Sequence, residues 1–126
     1  MLTADQIREA RSQTYYTVPD GKPTKCDDCV RLAFEWLDAQ ARTKSPNTRY
    51  WSLKHLVEDW SGMHISRTDV EVAAHLHGLI GLYPNYNIHT KWVEPSLKRL
   101  EGIARANSVP SYREHHKTTD YHFKEE

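Results

Sequence analysis

The sequence predicts a small, mainly α domain with one β-hairpin, an α+β fold of helix-turn-helix or winged-helix-like type. Three observations carry this expectation. Apolar residues recur at three- and four-residue steps in several segments, as a buried helical face requires. Capping signals stand directly before those segments. Two β-favouring stretches flank Pro84-Asn85 immediately after a pair of short helical segments.

Taken in order, Thr3 to Gln6 has the form of a capping box, and Ile7 and Ala10 follow at helical spacing, predicting a helix over 4–13. Tyr15 to Val18 favours extended backbone and stops at Pro19-Asp20-Gly21. Thr24 to Asp27 forms a second capping box. Cys26, Cys29, Val30, Ala33, Phe34, Leu37 and Ala41 then make the clearest apolar stripe in the chain, predicting a helix over 25–42. Ser52 can cap a helix carrying Leu53, Leu56, Val57 and Trp60, which stops at Ser61-Gly62. Ser66 to Asp69 is a third capping box, with Ile65 and Val70 placed as a hydrophobic staple. Gly78 suits the end of the helix that follows. The helix pair therefore covers 52–77 and the hairpin 79–93. Leu97 and Leu100 suit one more short helix. Beyond Pro110 the apolar residues thin out, so 111–126 reads as a polar, partly ordered tail on a single domain spanning 1–110.

Composition narrows the function classes. The chain has 126 residues, with Lys+Arg 17 against Asp+Glu 17, so the formal net charge is zero. A polycationic nucleic-acid coat and an acidic DNA mimic are both excluded for the chain as a whole. Neutrality is uneven, however: residues 41–56 carry Arg42, Lys44, Arg49 and Lys54 and no acid. No apolar run is long enough for a membrane span, and Met1 to Asp5 lacks the pattern of a signal peptide, so a cytoplasmic location is expected.

Two short amphipathic helices joined by a Gly-containing turn have the form of a helix-turn-helix. In that form the start of the second helix reads base edges and nearby cations hold phosphates. The candidate DNA-binding residues are Ser66, Arg67 and Thr68 for the bases, with Lys54, Arg49, Arg42, Lys44 and Lys91 for the backbone. The expected function is a small non-catalytic regulator binding double-stranded DNA, with a homodimer suited to a two-fold site. Asp69 and Glu71 on the same helix oppose phosphate contact. The alternative is a protein-binding adaptor or inhibitor whose aromatic segment, Tyr83, Tyr86 and Trp92, meets a partner. Against that stands a reading in which Trp51, Trp60 and Trp92 fill a small core while Tyr83 and Tyr86 flank a turn.

Cys26 and Cys29, in one C-x-x-C, supply half of a tetrahedral zinc site, whose other half would have to come from histidine. His75-x-His77 is the tightest non-adjacent pair, but residues two apart on a helix lie on different faces. The competing reading packs both cysteines into the apolar stripe as free thiols, with no cofactor. A redox use is a third reading, because the motif lies in a first helical turn. Asp27 and Asp28 oppose it by raising the thiol pKa. No G-x-S-x-G, phosphate-binding loop, H-E-x-x-H or dinucleotide fingerprint occurs, so the sequence offers no positive support for an enzyme.

Overall fold

The structure is a computed structural model that describes residues 1–18, 25–48 and 52–126. It is a small α+β domain in which helices dominate. Helix α1 spans Ala4–Gln13, α2 Asp27–Asp38, α3 Leu53–Ser61 and α4 Arg67–His77. Strands β1 (Gly81–Leu82) and β2 (Asn85–Tyr86) form an antiparallel hairpin. Strands β3 (Val93–Glu94) and β4 (Phe123–Lys124) form a parallel pair. Among the described residues three short 3-10 helices follow, at Leu97–Leu100, Pro110–His115 and Thr118–Asp120.

Local chemistry accounts for the helix ends. Thr3 and Gln6 close the predicted capping box on α1, and Ser66 and Asp69 close the one on α4. Gly62 and Gly78 end α3 and α4 in the left-handed conformation, with φ of 68° and 71°. At Gly62 a side chain would also collide with the backbone of Asn107, 2.9 Å away. The start of α2 departs from expectation. Its N-cap is Cys26, whose sulfur accepts the Cys29 N–H, while Thr24 lies outside the described residues.

Helix α2 ends at Asp38, short of the expected 42, because Gln40 is committed elsewhere. Its side-chain amide donates to the Val93 carbonyl at 2.9 Å and its oxygen accepts the Val93 N–H at 2.8 Å. This imitates a strand pairing. The following residues run beside 87–89: Thr43 N–H donates to the Asn87 carbonyl and His89 N–H to the Ala41 carbonyl. The predicted strand 88–93 is therefore divided. Ile88 bridges to Arg42, and Val93 joins Phe123, so neither pairs with 79–83. The hairpin turn is Tyr83-Pro84, with Gly81 opposite Tyr86 and Leu82 opposite Asn85. The extended stretch predicted at 15–18 forms no strand; Thr17 N–H donates instead to the Glu71 carboxylate at 2.9 Å.

The core lies between α2 and α4, which pack most extensively against each other. Val30, Leu32, Ala33, Trp36 and Leu37 come from α2, and Val70, Val72, Ala73 and Ala74 from α4. The small residues Ala33, Ala73 and Ala74 leave room for close approach. Ile7 and Ala10 of α1 and Leu53, Val57 and Trp60 of α3 extend the same cluster.

The segment expected as a loose polar tail is tied to this body at several points. Trp36 Nε1–H donates to the Tyr121 hydroxyl at 3.0 Å. His116 Nε2 lies 2.6 Å from Glu94 Oε2, and Arg113 donates to the Trp60 carbonyl. Arg99 bonds Glu125 through Nε and a second guanidinium nitrogen, both at 2.6 Å, and reaches Asp38 at 2.9 Å and Glu35 at 3.1 Å. Few apolar residues are needed because charged pairs and one buried indole hold the segment.

Two outcomes follow. Tyr121→Phe leaves the Trp36 indole N–H without its acceptor and is expected to cost about 1–3 kcal/mol, read as a lower midpoint in urea at unchanged slope. The hydrogen bonds from Arg99 hold the Glu125 carboxyl below its usual range despite burial. At Asp38 burial pushes upward, and bonds from Arg99 and His77 outweigh it. Depressed carboxylates stabilise the fold above their unfolded pKa, near 4, and lose that contribution as pH falls through the lower folded value. Arg99→Met should therefore be about 1–2 kcal/mol less stable than the native chain at pH 7, and the gap should close on acidification to about pH 3.

Candidate functional site

The residues proposed to read DNA bases are engaged within the protein. The Ser66 hydroxyl caps α4, accepting the Asp69 N–H at 3.2 Å, and lies 2.9 Å from the Thr68 hydroxyl. Thr68 is itself buried. Arg67 stacks over the Tyr83 ring, its guanidinium carbon 5.2 Å from the centroid. From Thr68 to Ala74 every residue of α4 is buried. Seven consecutive buried positions span almost two turns, so this stretch is covered on all sides. A short turn joins α3 to α4; at the start of α4 Ser66 and Arg67 are half-buried, and full burial begins at Thr68.

The cations proposed for phosphates separate into two places. Arg42, Lys44 and Lys91 lie along the paired segments 41–44 and 87–91, and all three are exposed. Arg42 also bonds the ring and carbonyl of His77. Lys54 lies near Arg67, since its backbone N–H donates to the Tyr83 hydroxyl at 3.2 Å. Arg49 lies outside the described residues, as does Trp51.

Of the three aromatic residues proposed to meet a partner, two are core residues. Tyr86 is 4% exposed and Trp92 1%, the latter packed with its ring centroid 5.6 Å from that of Trp36. An aromatic surface built on these two is corrected to an internal role, because the chain after the turn folds back onto α2. Tyr83 is half-buried at the tip of the hairpin, with Tyr86 packed edge-on at 6.4 Å.

The zinc reading finds no completing ligands. Cys26 and Cys29 are joined in a disulfide, which also corrects the free-thiol reading. Among the described residues no group of three His, Cys, Asp or Glu could hold a metal. His77 pairs with Asp38 at 2.7 Å and His75 lies 3.4 Å from the Gln13 side chain, so the two do not converge.

One feature of this region was not among the sequence candidates. A small cavity of about 120 Å³ opens where α4 meets the hairpin, lined by Tyr15, Glu71, His75, Leu82, Tyr83 and Tyr86 among others. Glu71 is 3% exposed, and its Oε1 has no hydrogen-bond partner. Burial pushes its carboxyl above the usual range, more than the Thr17 bonds and Arg67 pull it down. The rim is apolar and open: Tyr15 is 72% exposed and Leu82 54%. The clue in the sequence was an acid inside the apolar run Val70-Glu71-Val72-Ala73-Ala74.

Comparison with protein-family models, curated proteins and solved structures finds no match to this chain. No helix among the described residues is long and apolar enough to cross a membrane.

Glu71 offers a test of this geometry. A carboxyl raised by burial opposes folding as pH rises from the unfolded value of about 4.3 through the folded one. Glu71→Gln removes that penalty while its amide oxygen can still accept the Thr17 N–H. The variant should equal or exceed the native chain in thermal midpoint at pH 7, and lose its advantage below about pH 4.

Proposed function

We propose that this protein is a protein-binding module whose partner docks on the hairpin face around Tyr83. The observation that supports this is the open apolar rim formed by Tyr15 and Leu82 over a cavity walled by tyrosines. Large apolar side chains clustered at a concave site are characteristic of recognition surfaces. Tyrosine contributes area at low entropic cost and keeps a polar tip for a partner. The binding residues on this reading are Tyr15, Leu82 and Tyr83; Tyr86 supports Tyr83 from below.

A second reading, contact with double-stranded DNA in a winged-helix-like manner, is favoured by Arg42, Lys44 and Lys91 along one edge. It draws less support, because the start of α4 has its hydroxyls tied and its flanks covered. Contact through a few phosphates alone would be non-specific and strongly weakened by salt.

The test is affinity capture with the native chain and with a Tyr15→Glu, Leu82→Glu double variant, each with and without nuclease. Both substituted positions are exposed, so the thermal midpoint should hold within about 3 °C. The proposal expects a nuclease-resistant partner, including a second copy of this chain, whose recovery falls about tenfold in the variant. Undiminished recovery overturns the proposed face. Capture lost with nuclease and with moderate salt, and unaffected by the double variant, transfers the assignment to DNA.

A further inference from the structure

The C-x-x-C at the start of α2 stands apart from the hairpin face, and its surroundings favour chemistry. Cys26 is the N-cap of a 12-residue helix and is partly exposed. Cys29, in the first turn, is 2% exposed. The two sulfurs are bonded. A ring closed by residues three apart removes little freedom from the unfolded chain, so the bond contributes little as a structural staple.

The two positions are chemically unequal. The Cys26 sulfur accepts the Cys29 N–H at 3.2 Å and faces the positive end of the helix dipole. Both effects favour a thiolate there once the bond is reduced. The Cys29 sulfur lies 3.5 Å from the His64 carbonyl oxygen. A reduced Cys29 can donate its S–H to that oxygen, which favours the protonated thiol.

The acids that argue against a reactive thiol are compensated. Asp27 pairs with Arg11 at 2.7 Å, and Asp28 pairs with Arg31 at 2.7 Å and accepts the Arg105 N–H at 3.1 Å. A cavity of about 500 Å³ opens beside Cys26, lined by Lys25, Asp27, Asp28, Arg31, Met63 and Arg105. With both acids paired, Lys25 and Arg105 remain without an ion pair among the described residues and leave the cavity cationic. A small molecule carrying carboxylates and a disulfide has complementary charge, and the volume accommodates it.

We propose that Cys26 and Cys29 form a thiol–disulfide exchange site for small anionic disulfides, with Cys26 as the attacking thiolate and Cys29 as the resolving thiol. The Cys26 thiolate attacks one sulfur of the substrate disulfide. A Cys26–substrate S–S bond forms, the substrate's own S–S bond breaks, and one substrate thiolate leaves and takes a proton from water. Cys29 then loses its proton to water and attacks the Cys26 sulfur. The Cys26–Cys29 bond forms and the second substrate thiolate leaves. The protein dithiol is oxidised by two electrons, and one disulfide is reduced to two thiols.

The experiment uses the full chain, reduced and freed of reductant, with oxidised glutathione as probe. Cys29→Ser should accumulate a glutathione adduct at Cys26, seen by mass spectrometry. It should form at least about tenfold faster than the adduct of Cys26→Ser at Cys29. Alkylation of Cys26 in Cys29→Ser should titrate below the free cysteine value of about 8.5. A Lys25→Gln, Arg105→Gln variant should be slowed several-fold more with glutathione disulfide than with uncharged hydroxyethyl disulfide. Equal reactivity of the two cysteines, or a Cys26 that titrates at or above the free value, overturns the site. Equal slowing with both disulfides, or slowing with neither, overturns the anionic substrate class.

Discussion

Helix α4 is enclosed from Thr68 to Ala74, and the rest of the fold is arranged to enclose it. Its covering comes from α1 and α2. Two acids are drawn inside with it. Asp69 is accommodated by the capping box, where its carboxylate accepts the Ser66 N–H at 3.0 Å. Glu71 is met on one oxygen by the backbone of Thr17. Residues 14–18, directly after α1, therefore run beside α4, with Thr17 contributing a backbone N–H and Tyr16 a ring packed on the core. Helix α3 covers the other end of the core through Leu53, Val57 and Trp60, and its turn into α4 depends on Gly62. A helix held this way serves as an axle, and exposed chemistry is left to the segments at its margins.

Much of the local structure was legible in the sequence because it is written in short-range chemistry. The capping boxes at Thr3 and Ser66, the stripe through Val30, Ala33 and Leu37, and the terminating Gly62 and Gly78 each involve residues within one or two turns. What was not legible depends on distant partners. The Gln40 side chain standing in for a strand, the bridge from Arg42 to Ile88 and the parallel pairing of Val93 with Phe123 join residues 30 or more apart. The polar end looked loose because pairs such as Arg99–Glu125 and His116–Glu94 leave no periodic trace.

The site residues show the same division. A hydroxyl that starts a helix can cap it or read a base, and the same letters, Ser66 and Thr68, serve either use. Burial decides between them, and burial here is set by α2, about thirty residues upstream. The Asp27-Asp28 pair was legible as charge but not as compensated charge, because Arg11 belongs to another helix. The acid at Glu71 was visible as an interruption of an apolar run, yet only the hairpin's return past it makes a cavity.

The bond between Trp36 and Tyr121 spans 85 positions of the chain, and Glu125 closes onto Arg99 only at the far end. A ribosome delivers these partners in sequence order. Helices α1 to α4 can form and begin to pack as they emerge, but the Trp36 indole N–H waits for Tyr121. Closure is therefore a late step of folding, and its rate is governed by long-range encounter rather than by helix formation. In the interval the chain presents an indole that the finished molecule buries, so the helical body stays exposed to wrong contacts until its last segment docks.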